Sequence, residues 1–229
     1  METNIDEALL ISTRVDVNSQ VPITSQILRI AVYDEFKAYE TYTKIIEKFG
    51  LVQPFVNIKE AEAVHYAALI KLMEKYGVEV PLNNWASKIE IPNTLIECCE
   101  MGVAGEIDNI AMYNNLLSNA SENDIKDTLY RLQAASFNNH LPAFRTCVIN
   151  HYNSGNLSQN GADMIEKLQE YQEIVNNLMS GNIDESTISN LSSKLFSNIN
   201  MQFLGGAVGG AGLILLLNQF LENQNSNKE

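Results

Sequence analysis

A chain of 229 residues is long enough for one sizeable core plus an appendage. Its 28 acidic against 15 basic side chains give a formal net charge of -13, which excludes charge-driven binding to nucleic acid or to anionic lipid. The three cysteines, Cys98, Cys99 and Cys147, show neither CxxC nor zinc-type spacing, so no disulfide framework is expected and a reducing cytoplasm is the expected compartment.

In chain order, residues 1–22 are polar with one short apolar run and are expected to be loosely ordered. Their start, Met1-Glu2-Thr3-Asn4-Ile5-Asp6-Glu7, lacks the apolar core of a signal peptide. Four long stretches with 3.6-residue periodicity follow. The first spans Thr24 to Phe49, stops at Gly50 and turns Leu28, Val32, Glu35, Tyr39, Tyr42 and Ile46 to one face. The second opens at Asn57, with Glu60 in a capping-box position, and stops at Gly77. Its inner face carries Ile58, Ala61, Glu62, His65, Leu69, Leu72 and Tyr76. The third starts after Pro92 and reaches Leu117, with Cys99, Gly102, Glu106, Ile110 and Tyr113 on one face. The fourth follows Ser121 and runs to Tyr152, with Leu129, Leu132, Ser136, His140, Phe144 and Cys147 inward. Strand signals are almost absent, so the chain reads as all-α.

The links at 50–56 and 118–123 are short, which favours antiparallel neighbours. The link at 78–92 is longer. Extended, it reaches about 50 Å, enough to run the length of a helix of about 31 Å or to fold back locally. Beyond Tyr152 a linker over 153–160 leads to helices over 161–221 and a disordered tail over 222–229. Residues 203–217 form an uninterrupted apolar and glycine run with overlapping GxxxG spacing. It is shorter than the ~20 residues needed to span a bilayer, so a buried or oligomerising helix is favoured over membrane contact through 199–221.

The chemistry lies in Glu62-Ala-Val-His65. At helical pitch a carboxylate and an imidazole three residues apart share a face, here an apolar one. Burying such a pair is costly without compensation, and a metal ion compensates it. Glu35, Glu106 and His140 occupy inner positions of the other three segments.

These residues resemble the ferritin-like superfamily, and in particular little-characterised bacterial and archaeal ferritin-like proteins. The resemblance covers about residues 24–152. It rests on Asp34-Glu35, on Asn57-Ile58 followed by Glu62-Ala63-Val64-His65, on Gly102 with Glu106, and on Asn139-His140-Leu141 with Ala143-Phe144. It implies a four-helix bundle over 23–152 with a C-terminal helical extension. It also implies a di-iron or single-metal centre with Glu35, Glu62, His65, Glu106 and His140 as ligands, in which manganese or zinc could replace iron. Reaction with O2 or peroxide, of the ferroxidase or peroxidase type, would follow. On this pattern Glu62 and Glu106 bridge, Glu35 and His65 hold one metal, and His140 holds the other. The departure is Phe137, which stands where a second Glu-x-x-His would place its carboxylate. The His140 metal is therefore expected to be under-supplied, with Ser136 or water in the sixth position. The alternative reading is a non-catalytic helical scaffold, or a membrane-associated interaction protein with a degenerate metal site. Tyr39, Tyr42 and Tyr113 read as core packing, and Cys99 as a small core residue.

Overall fold

The computed structural model describes residues 4–153, which are all-helical; no strand occurs among them. Helix α1 spans Glu7–Ser12, α2 Ile23–Phe49, α3 Phe55–Tyr76, α4 Leu95–Asn119, α5 Asn123–Ala135 and α6 Leu141–Asn153. A π-helical turn, Ser136–His140, joins α5 to α6, and a 3-10 turn, Trp85–Ser87, lies between α3 and α4. No helix among the described residues is long and apolar enough to cross a membrane. The linker, C-terminal helices, glycine-rich run and tail expected beyond residue 153 lie outside the described residues.

Helix ends follow local chemistry. Gly77 ends α3 at φ 64, where a side chain would be strained, and the Val78 amide donates to the Met73 carbonyl at 2.9 Å. Helix α4 starts with a capping box. The Glu97 amide donates to Thr94 Oγ1 at 3.3 Å and the Thr94 amide to Glu97 Oε2 at 3.0 Å. The pairing expected of Asn57 and Glu60 does not form, because α3 begins two residues earlier and Asn57 accepts from Gln53 instead.

Residues 4–22 are strapped down rather than loose. Arg29 grips the Asp6 carboxylate with two hydrogen bonds of 2.6 Å, and Glu7 pairs with Lys88. Leu10 is buried, and the buried Gln26 amide holds the carbonyls of Asp16 and Val21. The 78–92 link takes the long route. Hydrogen bonds from Arg29 to Glu79 O, Lys44 to Ile89 O and Lys48 to Pro92 O lay it along α2 over about 28 Å. Trp85 anchors its middle, donating to the Tyr33 carbonyl at 2.9 Å.

Helix α2 packs against α3 and α4, and α4 against α5 and α6. Two apolar clusters form the core. One gathers Ile27, Leu28, Leu69, Met73, Tyr113 and Leu129. The other gathers Tyr42, Phe55, Cys99, Ile107, Phe144 and Val148. Residues 35, 62, 65 and 140 fall where their helices pass from one cluster to the other, and residue 106 lies just before α4 makes the same passage between Ile110 and Met112, so the polar groups form a layer between two apolar ends.

Helices α4 and α6 meet in a matched, antiparallel series. Cys99 is disulfide-bonded to Cys147, Gly102 lies under the Phe144 ring, and Glu106 faces His140. The expectation of unpaired cysteines is therefore corrected, and with it the basis for reading a reducing compartment. A spacing of 48 residues gives no local signal, and the pair becomes visible only once α6 lies on α4. A Cβ at Gly102 would sit 2.6 Å from the Phe144 ring, which is itself wedged between Tyr42 and Phe55. Gly102→Val is expected to lower stability by about 3 kcal/mol, measured by urea denaturation.

Candidate metal centre

Five side chains from four segments converge in the polar layer. Glu35 comes from α2, Glu62 and His65 from α3, Glu106 from α4, and His140 from the last position of the π turn. Each offers a ligand atom to one of two three-membered groups. Glu35, Glu62 and His65 form the first; Glu62, Glu106 and His140 form the second. Within each group these atoms lie within 4.8 Å of one another. These buried Glu and His groups could hold a metal ion. All five residues singled out in the sequence are brought together, and Glu62 belongs to both groups.

Both histidines turn Nδ1 inward. His65 Nδ1 lies 2.8 Å from Glu62 Oε2 and 3.2 Å from Glu35 Oε2. His140 Nδ1 lies 3.3 Å from Glu62 Oε1 and 3.6 Å from Glu106 Oε2. The rings stack with centroids 5.5 Å apart. Glu62 thus gives one oxygen to each histidine. Glu106 enters only the group with His140, so Glu62 is the residue common to both groups, and each group has three donors. The group around His140 offers as many donors as the group around His65.

The far oxygens of the outer carboxylates are held by tyrosines. Tyr42 OH donates to Glu106 Oε1 at 3.0 Å, and Tyr113 OH donates to Glu35 Oε1 in a short hydrogen bond. Tyr42 follows Glu35 by seven residues and Tyr113 follows Glu106 by seven, and each reaches the glutamate of the other helix. That reciprocity requires α2 and α4 to be antiparallel. Burial, reinforced by the carboxylate charge, holds both phenols well above their usual range, so each remains an O–H donor. This role was missed in the sequence, where the tyrosines read as packing; the shared seven-residue spacing was the available signal. Tyr39 is half-buried and sits edge-on to Tyr66.

The π turn explains Phe137. A π turn holds about one residue more than an α turn, so Ser136 rather than Phe137 shares the inward face with His140. Ser136 is buried, whereas Phe137 packs half-buried against the second apolar cluster. The Ser136 hydroxyl donates to Asn109 Oδ1 at 2.8 Å, and Asn109 in turn donates to Asp34 at 3.0 Å.

Protons balance the charge of the cluster. Burial and the neighbouring Glu62 charge push the Glu35 carboxyl up to about 8. Burial would also raise Glu62, but the Glu35 carboxyl and the His140 and His65 imidazoles beside it outweigh burial and hold that carboxyl low. Burial would lower both imidazoles, yet their carboxylate neighbours carry His65 and His140 up to about 10. One atom is left over: His140 Nδ1 is buried and makes no hydrogen bond, although two carboxylates lie within 3.6 Å. A buried imidazole nitrogen that stands between two carboxylate oxygens without hydrogen-bonding either fits a metal ligand better than a hydrogen-bonded core histidine.

Residues 25–177 match the family model described as an uncharacterized protein domain, DUF2202. The chain belongs to the DUF2202 family. Among solved structures, the crystal structure of hypothetical protein MJ0754 from Methanococcus jannaschii DSM 2661 is similar at 21% identity and a TM-score of 0.53. The similarity covers 69% of this chain and 97% of that one, and it speaks to the fold alone. No curated protein matches the chain. For this DUF2202 member, the reading of the site rests on its own side chains.

Proposed function

We propose that this protein holds two divalent transition-metal ions in a carboxylate–histidine centre set in a ferritin-like four-helix bundle. Glu35, Glu62 and His65 hold one ion, and Glu62, Glu106 and His140 the other. The observation that carries this reading is Glu62, shared by two buried three-donor groups. Hard carboxylates with imidazole suit iron or manganese, with zinc a further occupant. Iron bound there would supply electrons to O2 or peroxide, in the manner of a ferroxidase or peroxidase.

The chain's own groups supply the rest. Tyr42 and Tyr113 fix one oxygen of each outer carboxylate, leaving the other to face the ion. His65 keeps 11% of its side chain exposed against 5% or less for the other four, so ions and small oxidants approach on its side. The test is anaerobic titration with Fe(II) followed by exposure to air. Two Fe(II) per chain, oxidised faster than Fe(II) in buffer, support the proposal. Wild type and His65→Ala retaining equal, negligible iron would sink it.

A further inference from the structure

The disulfide stands in a fixed relation to the metal ligands. Cys99 precedes Glu106 by seven residues on α4, and Cys147 follows His140 by seven on the π turn and α6. Seven residues are two helical turns, so the bond lies about 10 Å from the second half-site along both helices. Between them Phe144 packs on Gly102. The covalent link therefore fixes the register that brings Glu106 opposite His140. The first half-site is built differently. Glu35, Glu62 and His65 belong to α2 and α3, a pair joined by the short 50–54 turn that the disulfide does not touch.

We propose that Cys99–Cys147 is a redox latch: oxidised, it assembles the second half-site; reduced, it releases that half-site and leaves the first in place. The proposal rests on the metal-binding reading above. Cys99 is fully buried and Cys147 half-buried, so a dithiol reductant attacks at Cys147. Its thiolate forms a mixed disulfide with Cys147 Sγ, the S–S bond breaks, and Cys99 leaves as a thiolate and takes a proton. The reductant's second thiol then displaces Cys147, leaving two protein thiols and one oxidised dithiol. Cys98 does not interfere. It is buried, makes no disulfide, and burial pushes its thiol up to about 11.

The test uses the full chain in three forms: oxidised, reduced and freed of reductant, and Cys99→Ser/Cys147→Ser. Mn(II), a hard ion with little affinity for thiolate, is counted by its free EPR signal. Amide exchange of residues 136–151 and 23–76 is followed in the metal-free forms. The expected result is two Mn(II) per oxidised chain. In the reduced and double-serine forms one of them binds at least tenfold more weakly, the other stays within twofold, and protection is lost over 136–151 only. Equal binding of both ions in all three forms overturns the latch. If no form binds Mn(II), the metal-binding reading fails and exchange decides the latch. Protection lost over 136–151 alone upholds it, and protection unchanged, or lost equally over 23–76, overturns it.

Discussion

Glu62→Gln is expected to empty both half-sites at once, whereas Glu35→Gln and Glu106→Gln each empty one. The reason is positional: Glu62 is the carboxylate common to both three-donor groups, and each of the other two enters one. Removing one of three protein donors is expected to weaken an ion by more than about 100-fold, since even the outer partners of ligands are worth 10–100-fold. Equilibrium dialysis against Fe(II) or Mn(II) would read near zero for Glu62→Gln and about one ion per chain for each of the others. Glutamine preserves the shape of the side chain, and circular dichroism separates loss of ligand from loss of fold. A Glu62→Gln variant that still holds one tight ion would show that the carboxylate is not shared.

Metal uptake is expected to depend steeply on pH, because protons occupy the places the ions would take. At pH 7 Glu35, raised to about 8, and His65 and His140, raised to about 10, are mostly protonated in the metal-free protein. Each must lose its proton to ligate. The sign follows directly: affinity rises with pH and falls as acid is added. Below pH 7 the first half-site sheds two protons per ion and the second sheds one. Apparent affinity should therefore change by about 100-fold per pH unit at the first and about tenfold at the second. Titration in weak buffer at pH 6.5 should release about three protons per doubly loaded chain. Uptake without proton release would contradict the assignment of these groups as ligands.

Much of this architecture was legible in the sequence because helical period and ligand spacing are local properties. Glu62 and His65 share a face by pitch alone, and the four segments that carry the ligands emerged within a few residues of their observed limits. What escaped depended on other elements. The π turn at 136–140 has no signature in Ser136-Phe137-Asn138-Asn139-His140, so Phe137 looked like a missing ligand rather than a residue rotated aside. The Cys99–Cys147 bond joins positions 48 apart, and the seven-residue offsets from Glu106 and His140 gain meaning only once α4 and α6 are known to be antiparallel. The strapping of residues 4–22 likewise rests on Arg29 and Gln26, whose partners lie outside any helical pattern.

The proton count and the Glu62 variants both follow from the proposed geometry, in which two ions would flank a single carboxylate. Anomalous diffraction from crystals grown with Fe(II) or Mn(II), collected at the corresponding edge, tests that statement most directly. The account predicts two peaks per chain, one among Glu35, Glu62 and His65 and the other among Glu62, Glu106 and His140. No peak in the polar layer, or a single ion held without Glu62, would contradict it.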